Sequence, residues 1–155
     1  MIRPATETDI PALNKLLKQV LNIHAQYRPD IFKKGGTKYS DEQLKTLLLD
    51  ANKPIFVALD EHKSVIGYIF CQYRKTEASS FLNECKYCFI DDICVDQEVR
   101  GKGVGTALFE YAKQQALQND CAYIRLNVWA FNESAFHFYE KHGLSPLHIM
   151  MEQRI

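Results

Sequence analysis

Three groups of residues in this chain are of a type and spacing that can do chemistry. The first is Arg100-Gly101-Lys102-Gly103-Val104-Gly105-Thr106, which follows closely on the apolar run Ile93-Cys94-Val95. Glycine has no Cβ, so backbone N–H groups beside it can approach a ligand closely. A strand that turns through such residues into a helix also offers the helix's unpaired N-terminal donors and their partial positive charge. Arg100 and Lys102 bring full charges to the same place. The chemistry is anion binding, and a pyrophosphate suits it. Spacing excludes two common phosphate loops. A Walker A loop needs Ser or Thr after its Gly-Lys, and here Gly103 follows Lys102. A dinucleotide fingerprint needs G-x-G-x-x-G, and Thr106 stands where its last glycine belongs.

The second group is Asp91-Asp92, set between Phe89-Ile90 and Ile93-Cys94-Val95. Carboxylates are rarely buried in a strand without a partner. Strict alternation predicts that the two point to opposite faces, Asp91 with Ile93 and Val95, Asp92 with Ile90 and Cys94. At most one of them then faces a substrate. Such a carboxylate can accept a proton as a general base, or it can cap a neighbouring loop. The third is Tyr139, which can donate a proton from its hydroxyl or serve as an amphipathic core residue beside Phe136 and Phe138.

Five cysteines are present, at 71, 85, 88, 94 and 121, and Cys85-Lys86-Tyr87-Cys88 is formally a C-x-x-C. A zinc site wants a second pair at ligand spacing, and there is none. A redox pair wants to open a helix, and this one leads into a strand-like run. The cysteines read as small core residues of a reduced, intracellular protein, placed in the cytoplasm.

The elements that must position these groups follow from periodicity. A helix from about Asp9 to His24 has Ile10, Leu13, Leu16, Leu17, Val20 and Leu21 on one face, capped by Thr8 or Asp9. A mixed polar and aromatic segment follows, broken by Pro29, Gly35 and Gly36. Ser40 and Gln43 form a capping box for a second helix carrying Leu44, Leu47 and Leu48. Ile55–Leu59 and Val65–Arg74 are strands joined by a polar turn at Asp60–Ser64, and Tyr87–Val95 is a third beyond the polar connection Lys75–Glu84. A helix with Val104, Ala107, Leu108, Tyr111 and Ala112 on its apolar face follows the glycine turn. Then come a strand at Ala122–Trp129, a helix from Asn132 to His142 stopped by Gly143, and a segment Leu147–Gln153 that can close the sheet. Strands cluster early and alternate with helices late. That predicts a mixed α/β layer arrangement around one sheet, not a doubly wound parallel fold.

A chain of 155 residues is about one domain, read here as 1–155, and is long enough to build a core without staples. Lys plus Arg and Asp plus Glu both number 19, so the formal net charge is zero and a nucleic-acid partner is not indicated. No apolar run approaches the roughly 18 residues of a membrane span, and residues 1–10 hold no apolar leader core.

The glycine turn resembles the R/Q-x-x-G-x-G/A signature of the GNAT superfamily of acetyl-CoA-dependent N-acetyltransferases. Ile93-Cys94-Val95-Asp96 is similar to the strand end that this superfamily places beside the pantetheine. Asn127-Val128-Trp129-Ala130-Phe131-Asn132 through Phe138-Tyr139-Glu140-Lys141-His142-Gly143-Leu144 looks like its later signature, and Ile2-Arg3-Pro4-Ala5 is a typical opening. The resemblance runs along essentially the whole chain, in order.

What the resemblance implies is specific. The fold would be α/β (α+β), a mixed and mostly antiparallel central sheet flanked by about four helices. The activity would be transfer of the acetyl group of acetyl-CoA to a primary amine, by direct attack in a ternary complex, with no metal. Arg100, Gly101, Lys102, Gly103, Val104, Gly105 and Thr106 would hold the pyrophosphate. Ile93, Cys94 and Val95 would lie along the pantetheine, with the Val95 N–H facing the oxyanion. Asn132, Glu133, Ser134 and Ala135 would begin a helix beside the cofactor, where Asn132 serves equally as an N-cap. Tyr139 would be the acid. Asp91, matching the first member of an acid pair in the polyamine acetyltransferases of the superfamily, would be the base or hold the water that acts as one, with Asp92 as substitute or partner. The acceptor, a small-molecule or peptide amine, would meet His24, Tyr27, Asp91, Asn127 and Trp129, within a variable cover that also includes Arg28, Asp30, Phe32 and Tyr39. Asn127 departs from the Glu that some protein N-terminal acetyltransferases carry there. No nucleic-acid or membrane partner is implied, and a homodimer is common among similar proteins. The competing readings are a non-catalytic acyl-CoA-binding regulatory module and a protein N-terminal or lysine acetyltransferase.

Overall fold

The computed structural model describes all 155 residues. The elements run β1 (Ile2–Pro4), α1 (Ile10–Tyr27), α2 (Asp41–Leu48), β2 (Ile55–Leu59), β3 (Val65–Thr76), β4 (Cys85–Val95), α3 (Val104–Gln118), β5 (Tyr123–Leu126) and α4 (Glu133–Lys141). Short 3₁₀ turns at Glu7–Asp9 and Gln97–Val99 lead into α1 and away from β4. One sheet carries the strands in the order β1-β2-β3-β4-β5. The first four are antiparallel neighbours, and β5 joins β4 in parallel. The mixed, mostly antiparallel sheet with four helices is the fold expected.

Each face of the sheet has its own core. Ile10, Leu13, Leu16 and Leu17 of α1 and Leu44 of α2 cover Ile55, Val57, Leu59, Tyr68, Phe70 and Cys94. Leu108, Phe109, Ala112 and Ala116 of α3 cover Phe56, Ala58, Ile69, Cys71, Cys88 and Ile90. β2 is buried on both faces, and this is why it reads as an unbroken apolar run. α3 packs tightly on β3 at Gly67, where a Cβ would lie 3.1 Å from Leu108 Cδ1 and 3.5 Å from Val104 Cγ1.

Local chemistry sets most boundaries. The Ser40 capping box forms, with Ser40 N–H donating to Gln43 Oε1 at 2.8 Å and Gln43 N–H to Ser40 Oγ at 3.1 Å. α1 runs past His24 to Tyr27 and stops where Pro29 drives Arg28 out of helical conformation. Neither Thr8 nor Asp9 caps its start with a side chain; Asp9 holds the N-cap position, but its carboxylate turns back to the preceding residues. The Asp9 carboxylate accepts the Thr6 N–H at 2.8 Å and is clasped by Arg3 at 2.7 and 3.0 Å.

Two strand expectations are corrected. β5 is shorter than Ala122–Trp129, because its pairing with β4 ends at Ile90↔Leu126, where β4 bulges at the next residue and bends away. Leu147–Gln153 forms no strand. After Gly143 the chain runs without regular structure, Leu147, Ile149, Met150 and Met151 are exposed, and Glu152 pairs with Arg28 at the end of α1 at 2.7 Å.

Candidate functional site

At the end of β4 the chain turns through Gly101 (φ +81°) and Gly103 (φ +79°), both left-handed, and enters α3. An added Cβ would meet nothing within 4 Å at either glycine, so the turn faces open space. Gly105 differs. It lies in the first turn of α3, and its Cβ would touch Phe138 at 3.5 Å and Val95 at 3.6 Å. The first amides of α3 lie beyond the reach of intrahelical acceptors. The cradle therefore fits a diphosphate. Arg100 Nε donates to the Val95 carbonyl at 3.2 Å, which draws this side chain to the strand end. Thr106 Oγ1 lies 3.3 Å from His142 Nε2 and links α3 to the end of α4.

Beside the turn, β4 and β5 separate. Beyond Ile90 the edge of β4 away from β3 has no strand against it. Asp96 N–H donates to the Ile66 carbonyl at 2.9 Å, toward β3. Backbone amides alternate in direction along a strand, so the Val95 and Ile93 N–H groups point to the open edge. Cys94 turns its thiol into the α1 core, 3.8 Å from the Leu16 carbonyl, and burial pushes that thiol up to about 12. By the same alternation the Cys94 backbone faces β3, so Cys94 presents neither its thiol nor its N–H to the open edge.

On α4, Asn132 is an N-cap. Its Oδ1 accepts from the Ala135 N–H at 3.2 Å and from Ser134 Oγ at 3.3 Å, while Glu133 opens the helix. Tyr139 is half-buried and packs on Phe138. Burial first, and then the charge of Asp92, push its hydroxyl above the usual tyrosine range, so it holds its proton at neutral pH.

The acid pair overturns the alternation argument. Phe70 opposes Asp92 and Cys71 opposes Ile90, leaving Asp91 as an extra residue in β4. This bulge shifts the pleat by one. Ile90 therefore faces α3 while Cys94 faces α1, and they do not share a face. Asp91 and Asp92 emerge on the same side, and both reach Lys38 Nζ, at 3.3 and 3.1 Å. Tyr39 O–H donates to Asp91 Oδ2 at 3.2 Å. Burial raises the Asp92 carboxyl against the opposing pull of Lys38. Burial pulls the Lys38 ammonium down, but Asp92 and Asp91 outweigh it and hold its pKa above the usual lysine value.

Next to the acids stands an aromatic group. His24 is 4.9 Å from Phe32 and 5.9 Å from Phe131 between ring centroids, Trp129 is 5.1 Å from Phe32, and Tyr27 stacks on Phe131 at 4.8 Å. Burial lowers the His24 imidazole, which senses both Asp92 and Lys38. Three distant segments thus meet: the end of α1, the loop before α2, and the connection from β5 to α4. The structure brings His24, Tyr27 and Trp129 into this one group. Asn127 stands exposed just beyond β5. Lys38, Phe131 and Tyr68 were not singled out from the sequence. Phe131 was signalled by its place before Asn132, but Lys38 and Tyr68 carry no local signal.

Elsewhere, a shallow depression of about 260 Å³ lies at the opposite end of the strands, lined by Leu48, Ile55, Tyr73, Gln115 and Asn119 among others. All five cysteines are free, and Cys85 and Cys88 lie three apart on β4, directed to opposite faces. No group of three or more His, Cys, Asp or Glu side chains converges as a metal site requires. No helix is long and apolar enough to cross a membrane.

An open amide-lined turn at the end of a strand, beside a gap between two parallel strands, is a shape that recurs in known proteins. The model of the acetyltransferase (GNAT) family matches residues 17–144, and the chain belongs to that family. Streptothricin acetyltransferase A of Bacillus subtilis is 29% identical over 122 residues, covering 72% of this chain and 66% of its own length. The crystal structure of a point mutant of the BH1408 protein of Bacillus halodurans superposes with a TM-score of 0.97 at 26% identity, covering 100% of this chain and 99% of that one. An aminoglycoside N-acetyltransferase solved in complex with CoA shares the fold, with a TM-score of 0.73 at 15% identity over 100% of this chain and 98% of its own.

Proposed function

We propose that this protein transfers the acetyl group of acetyl-CoA to a primary amine, both substrates being bound together. One observation carries the reading: the open glycine turn and the edge-facing Val95 N–H adjoin a face where two carboxylates and an aromatic group meet. Family membership and the CoA-bound relative of like fold support the donor. The streptothricin acetyltransferase supports a small cationic acceptor, and aromatic rings beside carboxylates suit such a molecule.

Acetyl-CoA supplies an acetyl group activated as a thioester. The amides from Gly101 to Thr106 hold its diphosphate, with Lys102 adding charge. The open edge of β4 at Ile93 and Val95 pairs with its amide-bearing arm. The amine must be neutral to attack, so Asp91 or Asp92, directly or through water, accepts its proton. The Val95 N–H donates to the oxygen on which negative charge develops. Tyr139, neutral at working pH, donates its proton to the departing thiolate.

The test is release of free thiol from acetyl-CoA across a panel of amines: alkylamines, diamines, aminoglycosides, streptothricin and lysine-containing peptides. Release with small cationic amines is expected. Tight acetyl-CoA binding with no release for any amine would leave a binding module in place of an enzyme. Release with peptides alone would move the acceptor to proteins.

A further inference from the structure

The face that carries Asp91 and Asp92 already holds an ammonium. Lys38 Nζ lies between their carboxylates, at 3.3 and 3.1 Å, and forms no other ion pair. Its side chain is 35% exposed, against 11% for Asp92, so the head group has a path to water. Lys38 stands in the irregular segment between Gly36 and the Ser40 cap, outside any helix or strand. A four-carbon stem on such a backbone can swing its charge out without disturbing the core.

A second observation is independent of the first. Tyr68 is wholly buried, and its hydroxyl makes no hydrogen bond of good geometry, its one acceptor close at hand being the poorly aligned Asp92 carboxylate. Tyr68 opposes Cys94, and Phe70 opposes Asp92, so Tyr68 is the diagonal neighbour of Asp92 on the same face. Asp92 is among the groups that act on this hydroxyl. An unpaired buried hydroxyl is uncommon and costly. An ammonium has three protons to donate. Lys38 gives two directions to carboxylates and leaves Tyr68 unserved.

We propose that Lys38 is a resident stand-in for the acceptor's ammonium, occupying its subsite until the acceptor displaces it and donates to Asp91, Asp92 and Tyr68 together. The inference rests on the reading of this face as the acceptor site. It narrows the acceptor to a primary ammonium on an unbranched aliphatic stem, the chemistry of Lys38 itself. It also means that acceptor affinity is reduced by the fraction of molecules in which Lys38 is at home.

The experiment is calorimetric titration, without acetyl-CoA, of wild-type protein and Lys38→Met with two probes, pentylammonium and pentyltrimethylammonium. Displacement predicts that Lys38→Met binds pentylammonium tighter by about tenfold or more, and that pentyltrimethylammonium, which has no protons to donate, also gains but stays the clearly weaker ligand of the variant. Adding Tyr68→Phe to that variant weakens pentylammonium severalfold. Pentyltrimethylammonium binding the variant as tightly as pentylammonium would make Lys38 a counter-charge only and overturn the proposal, as would no gain or no binding of pentylammonium. Should Lys38→Met not fold, Lys38→Gln takes its place in the same comparison. Because acetyl-CoA is absent, failure here leaves the thiol-release test untouched, and failure there leaves this one standing.

Discussion

At the scale of single residues, two side chains show how environment sets a role. Tyr139 gains proton-holding power from burial and from Asp92. A raised pKa extends the protonated range upward, so the acid stays competent through mildly alkaline pH. Tyr139→Phe is expected to lower turnover by about a hundredfold or more while changing acetyl-CoA affinity far less. The deficit should be constant from about pH 7 to 9, since Tyr139 does not titrate there. Thiol-release rates and calorimetry check both parts, and equal losses in rate and affinity would remove Tyr139 from the acid role. Asp9 is the structural counterpart. The Arg3 guanidinium holds its carboxyl below the usual carboxylate range, with help from the Thr6 amide and hydroxyl. A depressed pKa contributes stability that is complete above the unfolded value of about 3.9 and is lost as pH falls through the folded value. Asp9→Asn should cost about 2–3 kcal/mol at pH 7 and progressively less in acid, read by urea unfolding at several pH values.

At the scale of elements, the three glycines of the turn do different work. Gly101 and Gly103 are required for their left-handed backbone, whereas Gly105 is helical and has room for a Cβ. Gly103→Leu should lower stability by about 1–2 kcal/mol and acetyl-CoA affinity by more than tenfold. Gly105→Ala should fold as well as wild type or up to about 1 kcal/mol better, because its Cβ finds ordinary contacts within a helix. If its acetyl-CoA affinity is also unchanged, the diphosphate does not approach that amide. The bulge in β4 is the other decisive element. It brings Asp91 and Asp92 to one side, and a plain strand would leave one of them facing the α3 core.

At the scale of the molecule, zero net charge conceals segregation, with Arg100 and Lys102 at the turn and the acid pair on the α1 face. The segment after α4 contributes little to the core. Deleting residues 147–155 removes exposed side chains and the surface pair Arg28–Glu152, so stability should change by under about 1 kcal/mol, measured as the urea midpoint. A larger loss would mean that this segment is covered in solution. The helices, β2, β3, the Ser40 cap and the glycine turn were legible from residue order alone, because periodicity, capping and glycine conformation act within a few residues. The convergence of His24, Tyr27 and Trp129 was legible only through family resemblance. Strand register, the side to which Asp91 points, the seating of Lys38 between two acids and the poorly partnered hydroxyl of Tyr68 arise from contacts between residues some 20 to 54 positions apart. One extra residue in a ladder reverses every side chain beyond it, and no local pattern records that. The amino-acid order thus determined where the glycine turn falls and where the elements begin. Tertiary pairing decided which charges share a pocket, because that depends on which strand lies opposite which.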